Sequence, residues 1–371
     1  MLCLAYAELR SHNVTTYTIM EEPLLQDLGE FRLLNDVVFP AIRNQNSNAE
    51  LGDDCAYVEI PRVDQALVVT TDAGPRPLVW TLGLECYRTW GWYTVVCNAS
   101  DLAAAAAKPL AFCSSVEAPD SMPVSHMKEF FTGLAEGCGE FGLKVAGGNL
   151  RSAPRFAAHG TALGLVSGKP FLGRNGAKPG DYLLVLGECG TFISTYLKAR
   201  RHGLDSMDAD EMQLLTRPRP QIKAMRILWE SGLIEASSDN SDGVLGAVWN
   251  ICERSLCAAD IDMNAQNLPP LVARTARIEG INPWNIFFFW GDYNVIITVR
   301  PEQMEAFIRV AKMSYLLYGV LGRISDGPPG LFGVVGDERR PLRVVRNENF
   351  VRLGFSGNVG DHVNYMLHEE L

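Results

Sequence analysis

The sequence lacks the patterns that identify several common classes of protein. It has no GxxxxGK(S/T) segment, which excludes a P-loop nucleotide-binding enzyme. The nine cysteines include no CxxC pair and the six histidines stand singly, so neither residue type forms a zinc-type array. The most apolar stretch, from Asn285 to Val299, is broken by a Gly-Asp-Tyr-Asn segment and is shorter than the roughly 20 residues of a membrane helix. We therefore expect a soluble, cytoplasmic protein with reduced thiols.

Positive charge is also scarce. The chain has 33 Lys and Arg residues against 43 Asp and Glu residues, a formal net charge of −10. This excess of acid repels a phosphate backbone, which excludes broad binding to nucleic acid. A protein of this charge that handles phosphates would have to do so through metal ions rather than through a basic surface.

The remaining composition is that of a folded protein with two domains. The chain has 371 residues, of which 47% are hydrophobic, and it is about twice as long as a typical domain. Segments with strand and helix periodicity interleave along both halves, which predicts a mixed α/β (α+β) fold. We expect an N-terminal extension over residues 1–29, a first domain over 30–172 and a second domain over 173–371.

The spacing of apolar residues predicts individual elements. Helical spacing begins at Glu30, and β-branched runs predict two strands around Pro61. A strand from residue 143 is expected to run into a glycine turn at Gly147-Gly148-Asn149. The other predicted strands cover 110–118, 156–167 and 295–299, with a turn followed by a strand in 174–187. The other predicted helices cover 84–108, 127–141, 191–202, 221–231 and 302–316, with one more after a glycine turn at Asp242.

Aspartates recur beside apolar strands and at helix starts. Grouped carboxylates are costly unless a cation neutralises them, and these segments carry no matching Lys or Arg, so they favour hard divalent cations with oxygen ligands. Each segment by itself also fits a helix cap or a turn, and spacing alone leaves both interpretations open. The segments are Gly52-Asp53-Asp54, Thr70-Thr71-Asp72, Asn98-Ala99-Ser100-Asp101, Asp239-Asn240-Ser241-Asp242-Gly243 and Gly291-Asp292-Tyr293.

Six segments, in this order, resemble the thiamine-monophosphate kinase family, which belongs to the superfamily of aminoimidazole ribonucleotide synthetase-like (PurM-like) proteins. The resemblance runs from about Glu30 to Asp292. It implies two α/β domains, a homodimer whose N-terminal domains pair into a shared β-barrel, and ATP with Mg²⁺ in a cleft between the domains. The segments are GDDCA (52–56), TTD (70–72), NASDLAAAAAKP (98–109), VAGGN (145–149), RNGAKPGDYLLVLG (174–187) and DNSDG (239–243).

The resemblance also implies roles for individual residues. Gly148 and Asn149 would lie beside the ATP phosphates, Arg174 would reach the nucleotide, and Ser241 would lie near it. Asp53 would contribute indirectly or through water. The implied metal ligands are Asp54, Thr70, Thr71, Asp72, Asp101, Asp239 and Asp242, and those that would serve catalysis directly are Asp72, Asp101 and Asp242.

The sequence departs from the family at three places. Asn149 stands where the family has Asp, so one Mg²⁺ site should be weaker or differently placed. The segment from Ala73 to Trp80 lacks the His of the family's Gly-x-His-Phe stretch. The family's Gly-Glu-Asp-Tyr-Glu becomes Trp290 to Asn294, with both Glu replaced. The departures lie on the acceptor side, which predicts a retained site for ATP and metal beside a changed acceptor pocket.

Other side chains near these departures allow two interpretations. Trp80, Trp90 and Trp92 either line the acceptor pocket or belong to the core. Arg76 either meets an anionic group of the acceptor or lies on the surface.

Three functions are consistent with the sequence. The first is an ATP- and Mg²⁺-dependent phosphotransferase whose small-molecule acceptor is thiamine monophosphate or a diverged metabolite. The second is a ligase or cyclase of the aminoimidazole ribonucleotide synthetase type, which activates an amide or carboxylate oxygen. The third is a non-catalytic nucleotide-binding protein, in which the change to Asn149 accompanies a loss of activity. None of the three predicts a nucleic-acid or membrane partner.

Overall fold

The strands form two separate sheets, one in each half of the chain. The structure, a computed structural model, describes residues 24–45, 52–60, 64–168, 170–351 and 359–371. Most of the predicted extension, residues 1–23, lies outside the described residues. The strands are β1 (Ala56–Glu59), β2 (Gln65–Ala73), β3 (Lys108–Ala118), β4 (Lys144–Ser152), β5 (Ala157–Ser167), β6 (Tyr182–Leu186), β7 (Ala236–Asp239), β8 (Ala258–Asp262), β9 (Val295–Val299), β10 (Tyr318–Ser325), β11 (Gly330–Val335) and β12 (Glu338–Pro341).

Helices cover faces of both sheets, and the predicted helix that begins at Glu30 is present. It runs from α2 through a π-helical turn at Leu34–Val38 into α3. No helix among the described residues is long and apolar enough to cross a bilayer. The helices are α1 (Leu25–Leu28), α2 (Glu30–Leu33), α3 (Phe39–Gln45), α4 (Tyr87–Ala104), α5 (Val124–Phe141), α6 (Thr191–His202), α7 (Ala209–Thr216), α8 (Ile222–Glu230), α9 (Val244–Ser255), α10 (Pro270–Glu279), α11 (Pro283–Phe287), α12 (Met304–Met313) and α13 (Val359–His368).

The first sheet has five strands in the order β1-β2-β5-β3-β4, and only β3 and β4 run parallel. Helices α4 and α5 pack together, and two glycines allow their close approach. A Cβ on Gly91 would lie 1.9 Å from the carbonyl oxygen of Phe130, and one on Gly133 would lie 1.8 Å from that of Arg88. Any larger residue at either position would force the helices apart.

The glycine segment after residue 143 is strand rather than turn, which corrects the sequence prediction. β4 continues through Gly147, Gly148 and Asn149 to Ser152. Its pairing with β3 shifts register between Phe112 and Cys113, so the irregularity is a bulge and the ladder resumes beyond it. The ladder continues because β3, with 11 residues against the 9 of β4, offers a partner along the whole strand.

The second sheet has seven strands in the order β12-β11-β8-β10-β6-β9-β7. Its buried face packs on α6, α9 and α11, and the first half of the chain contributes to this core. Leu78 and Val79, from the segment that follows β2, are buried among residues of the second half. The two halves therefore share part of one core, and this contact holds the ends of β2 and β7 in a defined relation.

The three tryptophans of the sequence analysis are packed with other aromatic residues. Trp90 and Trp92 are buried, and the rings of Trp80 and Trp90 meet edge to face with centroids 5.2 Å apart. Trp92 donates a hydrogen bond of 2.9 Å to the carbonyl of Pro218. The core interpretation is therefore confirmed for Trp90 and Trp92, and Arg76 lies exposed on the surface.

Candidate active site

Three carboxylates from separate elements meet at the boundary between the two halves. Asp54 lies two residues before the start of β1, Asp101 lies in the last turn of α4, and Asp239 is the last residue of β7. One oxygen from each lies within 4.8 Å of one from both of the others. We call these residues the acid cluster. Its members are brought together by elements of both sheets, as the resemblance implied for a cleft between domains.

Hydroxyl groups hold the cluster in place. Thr70 donates a hydrogen bond of 2.6 Å to Asp101, and Ser100 donates one of 2.8 Å to Asp239. Ser241 donates a further hydrogen bond of 3.1 Å to Asp239. These hydroxyls fix the carboxylates of Asp101 and Asp239, so the cluster is oriented before any ligand arrives.

The electrostatics of the cluster are those of acids withdrawn from water and crowded by like charges. Burial, followed by the charges of Asp239, Asp72 and Asp54, raises the pKa of Asp101 well above its ordinary value. Burial also raises the pKa of Asp239 and lifts that of Asp54 to about 7. A cation would offset this cost, and an all-oxygen donor set is the one that Mg²⁺ prefers. The residues present therefore fit a hard divalent cation.

Two further aspartates flank the cluster. Asp72 is the penultimate residue of β2, and its backbone N–H donates a hydrogen bond of 3.1 Å to the side chain of Asn98. Its charge contributes to the raised pKa of Asp101, so the two carboxylates lie near one another. Asp242 lies on the turn after β7, and burial followed by the charge of Asp239 raises its pKa to about 8. The structure thus gathers all five predicted aspartate ligands into one region.

Arg174 reaches this region from the segment between the two sheets. Its Nη2 lies 2.6 Å from Oδ1 of Asp54, and its Nε lies 3.3 Å from Oδ2 of the same residue. Its backbone N–H donates a hydrogen bond of 2.9 Å to Asp53. The acid cluster therefore has a basic partner in Arg174. No single sequence motif shows this pairing, because residues 54 and 174 are far apart in the sequence. Binding of Arg174 to a nucleotide stays a prediction.

Thr71 is not brought to the cluster. Its hydroxyl donates a hydrogen bond of 2.8 Å to the carbonyl of Gly160 and lies 3.1 Å from the hydroxyl of Thr161. Successive side chains of a strand point to opposite faces, so Thr70 faces Asp101 and Thr71 faces the other side of the sheet. The side chain of Thr71 therefore departs from its implied role as a metal ligand.

Gly148 and Asn149 lie on the exposed edge strand β4, outside the acid cluster. The register aligns Asp72 of β2 with Gly160 of β5, Ser114 of β3 and Gly148 of β4. Three strand spacings separate Asp72 from Gly148, about 14 Å. Both residues therefore lie in the same sheet as Asp72 but three strands away from it. Their contact with ATP phosphates stays a prediction.

The Trp290 to Asn294 segment has a structural explanation in this chain. Asp292 accepts hydrogen bonds of 2.7 Å from the backbone N–H groups of Gly190 and Phe192, so it caps α6. Asn294 is buried, and its side-chain amide donates a hydrogen bond of 2.9 Å to the carbonyl of Glu188. Its backbone N–H donates a hydrogen bond of 3.0 Å to the side-chain oxygen of Asn240. The segment thus braces the loop that carries Asp239 and Asp242.

Sequence reasoning gave no role to several residues that the site uses. Ser100 and Asn240 were visible only as members of aspartate-rich segments. The charge of Glu30 helps to raise the pKa of both Asp72 and Asp242, so the helix that begins at Glu30 lies near the site. Helical spacing predicted that helix, and no local signal could have predicted where it packs.

A cavity of about 410 Å³ lies beside Gly52 and Arg174, between the N-terminal helix and α9. Its walls combine aromatic, aliphatic and cationic side chains with one acidic side chain, that of Glu253. A larger cavity of about 690 Å³ lies between α6, α7 and α10 and shares no residue with the acid cluster. The lining of the smaller cavity includes Phe31, Leu34, Phe39, Arg43, Arg174, Asn250 and Arg254.

Family models match both halves of the chain. The model described as AIR synthase related protein, N-terminal domain, matches residues 52–166, and its C-terminal counterpart matches residues 178–332. Together these matches cover well over half of the chain. The chain therefore belongs to the AIR synthase related proteins, and its two-domain PurM-like fold is confirmed.

Individual relatives confirm the finer resemblance to the thiamine-monophosphate kinase family. Thiamine-monophosphate kinase of Prochlorococcus marinus is 26% identical over 348 residues, which cover 89% of this chain and 98% of the relative. The enzyme of Mycobacterium tuberculosis is 28% identical over 324 residues, with coverages of 86% and 90%. The structure of AaThiL complexed with AMPPCP and TMP is 23% identical and shares the fold, with a TM-score of 0.72 over 88% of this chain and 99% of that chain.

Proposed function

We propose that the protein is an ATP-dependent kinase that transfers the γ-phosphoryl group of ATP to thiamine monophosphate. The observation that carries the proposal is the acid cluster, in which Asp54, Asp101 and Asp239 converge from both domains. Its support from relatives is the similarity to thiamine-monophosphate kinases over most of the chain. An ATP analogue and TMP are bound by the AaThiL protein, which shares the fold.

For this reaction the protein has to position the two substrates and neutralise their charge, and it does not need to form a covalent intermediate. A phosphate oxygen of the acceptor attacks the γ-phosphorus, the bond from that phosphorus to the bridging oxygen breaks, and ADP leaves. Asp54, Asp101 and Asp239 would hold Mg²⁺, with Asp72 and Asp242 beside them. Bound Mg²⁺ would neutralise the charge that develops on the transferring group.

The cavity beside Arg174 supports a place for the nucleoside. Its volume of about 410 Å³ suits a bound nucleoside, and Phe31 and Phe39 provide apolar walls for a base. Arg174 lines the cavity and contacts Asp54, so a nucleotide placed there would direct its phosphates toward the acid cluster. The N-terminal helix would then close over the base, and this gives the residues around Glu30 a role in binding.

The protein is further proposed to act as a homodimer. Strands β1 and β4 are the edges of the first sheet, and both present exposed apolar side chains, Val58 on β1 and Val145 and Leu150 on β4. Exposed edges of this kind are suited to pairing with a second sheet. Pairing of two first domains would produce the shared barrel that the resemblance implies.

Product analysis tests the function. The protein is incubated with ATP, Mg²⁺ and thiamine monophosphate, and thiamine diphosphate and ADP are quantified by chromatography. Equal amounts of both products are expected, with no product from unphosphorylated thiamine and none from the Asp101→Asn variant. ADP that forms only with an amine and a carboxylate or amide would instead favour a ligase. Binding of AMPPCP without turnover would mean that the acceptor is different or that the protein is a non-catalytic nucleotide-binding protein.

A further inference from the structure

A cationic side chain lies inside the group of carboxylates that would hold a metal ion. The guanidinium of Arg174 contacts both oxygens of Asp54, at 2.6 Å for Oδ1 and 3.3 Å for Oδ2. The two side chains are largely shielded from water, with 19% of Arg174 and 6% of Asp54 exposed. Solvent therefore screens this pair far less than it screens a surface ion pair.

Several contacts anchor Arg174 at this position. Its backbone N–H donates to Asp53 at 2.9 Å, its carbonyl oxygen accepts from the hydroxyl of Ser255 at 3.0 Å, and its Nη1 donates to the carbonyl of Gly52 at 3.3 Å. The anchoring groups come from both domains. The position of Arg174 is therefore fixed by the fold, and its contact with Asp54 is part of the structure of the site.

Asp54 therefore belongs to two groups of interacting residues. It is one of the three acids whose oxygens lie within 4.8 Å of one another, and it is the ion-pair partner of Arg174. A divalent cation bound to the cluster would share a carboxylate with a positive guanidinium. Two positive charges a few ångströms apart in a poorly solvated site repel strongly, and this repulsion weakens cation binding.

We infer that Arg174 is a built-in counter-charge that lowers the affinity of the acid cluster for a divalent cation. The inference rests on the proposed function in so far as the cluster is taken to be the cation site. Its consequence is that the protein alone binds the cation weakly, and that the negative charge of a triphosphate is needed for tight binding. Cation and nucleotide binding are then coupled through Arg174.

The test is a titration of chelator-treated protein with Mn²⁺ in the absence of nucleotide, in which electron paramagnetic resonance measures free Mn²⁺. Arg174→Gln is expected to bind Mn²⁺ at least about tenfold more tightly than the unmodified protein. Arg174→Lys keeps the charge and should remain within about threefold of it. Arg254→Gln is the matched control, because Arg254 pairs with the neighbouring Asp53 at 3.7 Å without contacting the cluster. Its affinity should change by less than about twofold.

Unchanged or weaker Mn²⁺ binding by folded Arg174→Gln would overturn the inference. If that variant does not fold, Arg174→Met, which keeps an aliphatic stem, provides the same comparison. The Asp101→Asn variant distinguishes a failure of this inference from a failure of the proposed function. If Asp101→Asn leaves Mn²⁺ binding unchanged, the cluster is not the cation site and the proposed function loses its basis. If it abolishes binding while the Arg174 variants have no effect, only the role of Arg174 is wrong.

Discussion

Ser100, near the end of α4, donates a hydrogen bond of 2.8 Å to Oδ2 of Asp239 at the end of β7, and both residues are buried. The bond joins the first domain to the second at the acid cluster. It places one carboxylate from the second domain against two from the first, so the geometry of the cluster depends on how the domains meet.

Ser100→Ala should therefore weaken both folding and metal binding. Loss of a buried hydrogen bond to a carboxylate should reduce the free energy of unfolding by about 1–3 kcal/mol. Mn²⁺ affinity should fall several-fold because Asp239 loses its orientation. Ser237→Ala is the control, since Ser237 makes an equivalent buried bond of 2.6 Å to the carbonyl of Ala104 but none to the cluster. Equal loss of Mn²⁺ affinity in both variants would contradict the orienting role of Ser100.

Asp101→Asn should separate stability from activity. Without metal, removal of one of several crowded acids should leave the melting temperature unchanged or raise it. Turnover should fall at least about 100-fold, because the charge stabilisation of the transferring group is lost. The exposed Asp205→Asn provides a control for the assays. Turnover close to that of the unmodified protein in Asp101→Asn would remove Asp101 from the site.

The raised pKa of Asp242 predicts a pH dependence of stability. Burial and the charge of Asp239 raise this pKa from 3.8 to about 8. Between about pH 4 and pH 8 the folded protein then binds more protons than the unfolded chain, so stability falls as the pH rises through this window. Urea unfolding in EDTA at a series of pH values should show this decline, with a smaller slope for Asp242→Asn. An identical slope in that variant would show that Asp242 does not titrate in this range.

Asn149→Asp tests the first departure from the family. If the edge of β4 contributes to metal binding, the added carboxylate should lower the Mg²⁺ concentration for half-maximal activity by about threefold or more. Asn149→Ala should raise or preserve it. The measurement is activity against Mg²⁺ concentration at saturating ATP. Overlapping curves for all three proteins would place residue 149 outside the metal site.

Asn294→Glu tests the departure at the end of the Trp290 to Asn294 segment. Asn294 is buried and donates to the carbonyl of Glu188, so a glutamate there would lose the donor and bury a charge. The free energy of unfolding should fall by at least about 2 kcal/mol. Chemical denaturation of Asn294→Glu and of the amide-retaining Asn294→Gln provides the comparison. Greater stability of the glutamate variant would show that the loop accepts a charge.

Much of the fold followed from local pattern. Helical spacing from Glu30, the strands on either side of Pro61 and the alternation of elements in both halves were readable because side-chain periodicity reports which face is buried. The glycine segment at Gly147 and Gly148 was mispredicted as a turn. Glycine marks both turns and bulged strands, and only the availability of β3 as a pairing partner distinguishes them.

The candidate site was only partly predictable. The aspartate segments and their order indicated a metal-dependent site, and the resemblance supplied the ligands. The alternation of a strand already separates Thr70 from Thr71, yet which of the two faces Asp101 depends on the side of the sheet that α4 covers. Arg174 was assigned to the nucleotide, whereas its contact with Asp54 arises from the packing of distant segments.

The sequence by itself determined the mixed α/β class, the family and the set of candidate acidic residues, because periodicity and motif order are properties of neighbouring residues. The tertiary structure alone decided that Asp54, Asp101 and Asp239 share one small space, that Ser100 orients one of them and that Arg174 opposes their charge. Most of these relations join residues more than 100 positions apart, and free energies of burial and charge pairing depend on distance in space, which no local pattern contains.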